Sequence, residues 1–480
     1  MLTVAEETLQ KLATERKQQI TTHLYGQEIN PETYAICKAD LILKGDGEQA
    51  DNIKGGAKFS TLANDAFRSH EFDFMLSNPP YGKSWKSDLE RMGGKEGLKD
   101  PRFLIEHGGD PEYSLVTRTS DGQMLFLASL LSKMKTGTKL GSRIAEVHNG
   151  SSLFTGDAGQ GESNIRRWII ENDWLEAIVA LPLNLFYNTG IATYIWVLSN
   201  KKPKSRKGKV QLIDATGWSR PLRKNLGKKN CELGDDDIKR IMDAFLAFDE
   251  TEQSKIFANA AFGYWKVTVE RPLRLMVDLA AGKRKAFRLV CKEAGEEQLA
   301  NLIDELAKGA GVGPHADYNA FTAKLEAAAD KAGVKLTAKR LKLVQASLAE
   351  RSEAAEPVIH RTHKPGKATA DPTHGLYAMK IDGKLAVVEY EPDSELRDTE
   401  QVPLLEDGGI AAFIEREVLP HAADAWVDKH ATKIGYEISF NRYFYKPKPL
   451  RSLDEIRADI FALEKETDGL LAEIIGTGGR

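Results

Sequence analysis

The chain has 480 residues, of which 41% are hydrophobic and 29% charged, with a formal net charge of −3. This length allows two or three domains, and the mixture is that of a globular protein with a sizeable core. The balance of charge argues against non-specific coating of nucleic acid, no window approaches 18 apolar residues, and the N-terminus lacks the basic-then-apolar pattern of a signal peptide. Cys37, Cys231 and Cys291 are odd in number and far apart. They suggest neither a disulfide framework nor a metal site, and a reducing cytoplasm is the simplest compartment.

In chain order, residues 2–13 read as a helix and 20–25 as a strand. Asn30 then offers an N-cap and Pro31 a first helical position, with Tyr34, Cys37 and Leu41 at helical spacing. A short apolar run at 72–76 reads as a strand, and 123–135 as a helix. Strand-like runs follow at 143–147, 177–181, 191–198 and 210–214. This βαβ alternation predicts a parallel sheet covered by helices, with the last two strands forming a hairpin at its edge around the basic run 201–209. After residue 235 the pattern changes: 236–248 is amphipathic, 263–269 alternates as a strand, and 295–352 reads as helices. The polar stretch 354–374, with Pro357, Pro365 and Pro372, reads as a linker or long loop. Near the end, Ile456, Ile460, Leu463, Thr467, Leu470 and Ile474 form an a/d heptad seam. The seam suits either a terminal helix docked on its own domain or one that pairs with a partner.

The chemistry lies in Phe72-Asp-Phe-Met-Leu-Ser-Asn78-Pro79-Pro80-Tyr81-Gly82. Asn-Pro-Pro-Tyr arises by chance in roughly one chain of this length in a thousand at average residue usage. Here it directly follows an apolar strand, and open α/β sheets bind ligands beyond the carboxyl ends of their strands. An exocyclic amino nitrogen on adenine is a poor nucleophile, because its lone pair is delocalised into the ring. The Asn78 amide oxygen and the Pro79 carbonyl can each accept a hydrogen bond from that amino group. Two converging acceptors draw the nitrogen towards tetrahedral geometry and localise the pair, which can then attack an electrophilic methyl group in line. Pro79 and Pro80 hold the carbonyl direction, since each ring locks its φ. Tyr81 supplies a face for stacking a base that must leave the duplex to react.

Asn78-Pro79-Pro80-Tyr81 resembles the catalytic motif of S-adenosylmethionine-dependent amino methyltransferases, and the tyrosine suits adenine or a glutamine amide better than cytosine. The segments from Gly26 to Tyr34, Asn184 to Ile191 and Ile434 to Phe444 resemble the methylation subunit of type I restriction–modification systems. That resemblance is strong over 1–235 and returns from 376. It implies a Rossmann-like α/β methyltransferase domain over 1–235, a mainly helical region over 236–375, and an assembly region over 376–480 ending in the heptad helix 453–475. It implies S-adenosylmethionine as cofactor, with Glu28 on the ribose hydroxyls and either Ser60 or Asp65 on the cofactor adenine. Phe186 would form a second wall against the flipped base.

The implied partners are double-stranded DNA, a DNA-specificity subunit, a restriction subunit and a second copy of the chain. In the family a Gly-rich cofactor turn precedes the Glu28-type acid, yet no glycine precedes Gly26 here. The chain is therefore expected to begin after that turn and to lack the first strand. Two other Gly-containing stretches read differently. Gly156 to Gly161 reads as an active-site-side loop able to cap a helix or approach a phosphate, and Gly476 to Gly479 as a flexible tail. The basic runs 201–209 and 223–229 suit either phosphate contacts or solvated loops. Two rival readings share the fold: a non-catalytic assembly subunit, and a protein glutamine methyltransferase.

Overall fold

Asn30 shows how local chemistry starts the architecture. Its side chain accepts from the backbone N–H groups of Glu32 and Thr33, Pro31 sets the first turn, and the helix Pro31–Leu43 follows as expected. The computed structural model describes residues 1–45, 47–187, 189–364, 366–381, 383–445 and 451–476, except the side chains of 310 and 468–476. Met1–Ile438 forms one compact unit and Ser439–Arg480 another.

Apart from the small hairpin Leu104–His107/Asp110–Ser114, the strands of the first unit begin, in chain order, with β1 (Gly26–Glu28), β2 (Ile53–Gly55), β3 (Phe74–Ser77), β4 (Arg143–Asn149), β5 (Leu175–Ala180), β6 (Thr193–Ser199) and β7 (Lys209–Asp214). They continue with β8 (Arg220–Leu226), β9 (Lys229–Glu232), β10 (Ser254–Ala258) and β11 (Gly263–Glu270). The central sheet has six strands in the order β10-β7-β5-β6-β4-β3. β3 and β4 are parallel, as are β5 and β7, while β6 runs antiparallel to both its neighbours. The strands β3, β4, β5 and β7 therefore share one direction, and their carboxyl ends share one edge.

Several expectations are corrected here. The sheet is mixed, not parallel: the connection 181–192 contains no helix among its described residues, so β6 returns antiparallel beside β5. The strands expected to pair as an edge hairpin, β6 and β7, are separated by β5. Every residue of β5 is buried, and a strand covered on both faces belongs inside a sheet, not at its edge. The strand expected at 20–25 forms no regular element; the ladder forms instead at β1, where Gly26–Glu28 meets β2. Strand propensity needs a partner backbone, and the register offers one only there. The helix expected to reach 135 ends at Leu131, because Lys133 turns away to Asp65 and the Phe67 carbonyl.

The two-stranded β1–β2 sheet stands apart from the central sheet, of which β3 is one edge strand and β10 the other. Phe74 and Leu76 are exposed on β3. An edge cluster of Tyr25, Phe67, His70 and Phe72 rings packs nearby, with neighbouring centroids 5.4–6.2 Å apart.

Beyond β11 the helices Ala281–Glu293, Glu297–Ala310, Tyr318–Ala332 and Ala338–Leu348 enclose their own apolar core around Phe287, Ile303, Phe321 and Leu325. Strands flank these helices. β11 lies between β12 (Asp398–Pro403) and β13 (Trp426–Tyr436), so chain from both sides of residue 376 builds one sheet. The stretch 354–374 is more than a linker, since Ile359–His363 pairs with Lys384–Tyr390. Its residues are mostly exposed, and backbone pairing does not require an apolar face.

In the second unit, Leu453–Gly476 is a helix on which Ile456, Ile460 and Leu463 of the heptad seam are exposed. The side chains of Leu470 and Ile474, and residues 477–479 of the Gly-containing tail, lie outside the described residues. Among the described residues, no helix is long and apolar enough to cross a membrane.

Candidate active site

β3 ends at Ser77, and Asn78-Pro79-Pro80-Tyr81 follows at the carboxyl edge of the sheet. Asn78 and Pro80 are exposed, Pro79 is buried, and Tyr81 is half-buried. The Tyr81 hydroxyl donates to Asn78 Oδ1 at 2.6 Å. That bond sets which way the Asn78 amide faces, and it uses one of the two lone pairs of the oxygen. The second lone pair remains for an amino group. Burial, and secondarily the charge of Glu146, push the Tyr81 phenol up to about 12, so it stays a donor through the physiological range.

Glu146 is a feature that sequence reasoning missed. It is fully buried on β4, where it is the register partner of Ser77. Its Oε2 lies 2.8 Å from Nε2 of His148, which is also fully buried. The available signal was two ionisable residues at alternate positions of an otherwise apolar strand, Ile144-Ala-Glu-Val-His148.

The loop after β4 is held by packing. Arg166, fully buried in the helix Gly161–Glu171, donates to the carbonyls of Tyr436 (2.6 Å), Ser152 (2.9 Å) and Gly156 (3.4 Å). The Tyr436 N–H donates in turn to Ser163 Oγ at 3.1 Å. These bonds tie the Gly156-to-Gly161 loop to the end of β13. The loop acts here as a packing device. A Cβ on Gly161 would lie 2.1 Å from the Val116 carbonyl oxygen. Gly161→Ala is expected to cost about 1–3 kcal/mol through forced backbone movement. A thermal melt would show it, and an unchanged melting temperature would refute the close approach.

Glu28 ends β1, half-buried; its Oε1 accepts from the Asn30 N–H at 2.8 Å, and Oε2 has no partner among the described residues. Asp65 and Ser60 are both buried. Asp65 is committed on both oxygens, Oδ1 to the Phe67 N–H and Oδ2 to the Lys133 ammonium. Ser60 Oγ accepts from the Ala63 N–H at 3.4 Å, and its hydroxyl proton has no acceptor among the described residues.

Phe186 lies in the loop after β5, at the same edge as Asn78 but three strands along. It packs on an apolar cluster of Val179, Leu181, Ile213 and Ala215. Among the described residues, no ring contact joins it to Tyr81. Its neighbour Tyr187 is the outward ring of that loop, 64% exposed and 5.7 Å from the Lys229 ammonium. An aromatic pair gives no sequence signal for which ring turns inward.

An open α/β sheet with Asn-Pro-Pro-Tyr at a strand's carboxyl end defines a Rossmann-like methyltransferase fold. More particularly, residues 1–263 match the family described as N-6 DNA Methylase, and the chain belongs to that family.

Among curated relatives, the type I restriction enzyme MjaIX methylase subunit of Methanocaldococcus jannaschii is 28% identical over 296 residues, covering 59% of this chain and 48% of the relative. The MpnII methylase subunit of Mycoplasma pneumoniae is 28% identical over 290 residues, covering 59% and 47%. The chain thus spans about half the length of the curated relatives it matches. A solved type I restriction–modification methyltransferase subunit from Streptococcus thermophilus is 25% identical, with a TM-score of 0.39, covering 50% of this chain and 45% of that one.

Proposed function

We propose that the chain is the methylating subunit of a type I restriction–modification complex and transfers a methyl group from S-adenosylmethionine to the N6 amino group of adenine in double-stranded DNA. The observation that carries this reading is the Asn78–Tyr81 loop, with its amide oxygen oriented by the Tyr81 hydroxyl and open on one lone pair. In this reading Asn78 Oδ1 and the Pro79 carbonyl accept from the amino group, the two prolines hold the carbonyl, and Tyr81 stacks on the flipped base. Phe186, with Tyr187 beside it, is the proposed second wall.

The residues fit the cofactor in part. Glu28 has a free carboxylate oxygen for two ribose hydroxyls, and Ser60 has a hydroxyl proton to donate. Asp65 is the less suited of the two, because each of its oxygens already holds a partner and one of them is tied to the Lys133 ammonium. Ser60 is therefore the proposed contact to the cofactor adenine. When bound, S-adenosylmethionine supplies the electrophilic methyl group.

The relatives are named as methylase subunits of type I restriction enzymes, which supports assembly with other subunits of such an enzyme; a DNA-specificity subunit, a restriction subunit, a second copy of the chain and a cytoplasmic setting belong to the same proposal. The exposed residues Ile456, Ile460 and Leu463 give the helix Leu453–Gly476 an apolar stripe suited to another helix.

The test is twofold. S-Adenosylmethionine is titrated calorimetrically into the purified chain, and radiolabelled methyl transfer to duplex DNA is measured with the assembled complex. Saturable heat and label on adenine N6 are expected. Labelled DNA would exclude the assembly-only reading, whereas label appearing only on protein amides would favour the glutamine methyltransferase. A complex that leaves DNA unlabelled would refute the proposal.

A further inference from the structure

We infer that the β8–β9 ribbon is a phosphate-binding arm that grips the DNA backbone beside the flipped adenine, an inference that rests on the function proposed above. The whole chain has 67 Lys and Arg against 70 Asp and Glu, yet the ribbon from Arg220 to Glu232 carries Arg220, Arg223, Lys224, Lys228 and Lys229 against Glu232 alone. A cationic element on a nearly neutral protein concentrates its potential where it stands.

The division of labour among these cations is specific. Arg220 is neutralised by Glu232 across the ribbon, at 2.9 Å. Lys229 is spent on structure, donating to the carbonyls of Leu185 at 2.6 Å and Cys231 at 2.9 Å. Arg223, Lys224 and Lys228 are exposed and have neither a carboxylate nor a hydrogen-bond partner among the described residues. Arg223 and Lys224 are successive in the irregular middle of β8, between its paired positions Pro221 and Leu226, while Lys228 sits in the turn beside Gly227, whose φ is +63°. Three exposed cations without a partner among the described residues thus sit along the middle and at the tip of the ribbon.

The arm is also anchored to the site. The Asn230 N–H donates to the Asn184 carbonyl at 3.2 Å, and Cys231 Sγ donates to the Leu183 carbonyl at 3.2 Å. With Lys229, these bonds fasten the ribbon to the loop that carries Phe186 and Tyr187. The ribbon follows β7, whose carboxyl end shares the edge that holds Asn78. From β3 to β7 is four strand spacings, roughly 19 Å at about 4.8 Å each. At about 3.4 Å per nucleotide, that is about five to six nucleotides along one DNA strand. A base or nucleoside alone cannot reach both places, but a continuous polyanion can.

The test is fluorescence anisotropy of a labelled 30-base-pair duplex with the full chain across a salt series. Arg223→Ala, Lys224→Ala and Lys228→Ala are combined in one variant. A control variant combines Lys335→Ala, Lys339→Ala and Lys342→Ala, three exposed cations of the helical region. Each phosphate contact contributes about 0.9 to the slope of log K against log salt. The arm variant is therefore expected to flatten the slope by roughly 2 to 3 and weaken binding on the order of 10- to 100-fold, with the control unchanged. Its S-adenosylmethionine heat should match that of the unaltered chain, which shows the fold intact.

An arm variant that keeps the slope, or a control that loses as much, overturns the arm. If the unaltered chain binds no duplex, the arm is overturned too. Labelled methyl transfer by the assembled complex then decides separately whether the function itself stands.

Discussion

Asn78→Ala is expected to lower methyl transfer to duplex DNA by roughly 10²- to 10³-fold while leaving the heat of S-adenosylmethionine binding unchanged. The size follows from what the side chain does. An acceptor aimed at a group that changes charge in the transition state acts like one oxyanion-hole donor with its polarity reversed, and removing one such partner costs about that factor. The Pro79 carbonyl survives the change, so activity falls without vanishing. Asn78 is exposed at the strand end, so truncation opens no core cavity. Its one side-chain partner among the described residues is the Tyr81 hydroxyl, which loses its acceptor but can turn to solvent.

The split between the two readouts is the informative part. Asn78 acts on the amino group, so cofactor heat should persist. A variant that loses cofactor binding and transfer together would mean that Asn78 holds the loop, not the adenine. A variant with full activity would remove the motif from the mechanism altogether. Asn78→Asp keeps an acceptor of the same shape and should retain more activity than alanine.

The second large effect is on stability, at Arg166. Its guanidinium is fully buried and donates to three carbonyls; burial is the main influence on it and pushes it down to about 10, so it remains charged. Arg166→Met fills much of the volume but leaves the carbonyls of Tyr436, Ser152 and Gly156 without their donor. Leaving several buried acceptors unpaired at once costs roughly 3–5 kcal/mol, a large share of the 5–15 kcal/mol of a typical domain. At about 2–4 °C per kcal/mol, the melting temperature should fall by roughly 6–20 °C. Arg166→Lys reaches fewer of the three and should fall in between. If Arg166→Met melts with the unaltered chain, the tie between the loop after β4 and β13 contributes nothing.

Much of the site is legible residue by residue, because its chemistry is local. Asn-Pro-Pro-Tyr follows its own strand directly, so acceptor, rigid carbonyl and ring arrive together whatever the rest of the chain does. Asn30 and Pro31 start their helix for the same reason: the capping oxygen and the N–H groups it satisfies are two and three residues apart. The strands 143–149, 175–180 and 209–214 announce themselves by runs of apolar residues.

What the residues do not display is which distant groups meet. Asp65 is tied down by Lys133, 68 residues beyond it, which takes one of the two carboxylate oxygens, whereas Ser60 meets no such distant partner among the described residues. Phe186 and Tyr187 are adjacent aromatics, and only the cluster around Val179 and Ile213 decides that Phe186 packs inward while Tyr187 stays out.

The sequence by itself determined the family chemistry: a strand, an amide, two prolines and a ring in one uninterrupted stretch. Only the tertiary structure decided the strand order, with β5 inserted between β6 and β7, the Glu146–His148 pair behind the loop, and the reach of Arg166 to Tyr436, 270 residues away. The physical reason is the range of the forces involved. Capping, turns and proline constraints act over a few residues and can be read in order. Sheet order and buried polar pairing are settled by burying apolar area and satisfying donors across the whole fold, and many arrangements share the same local pattern.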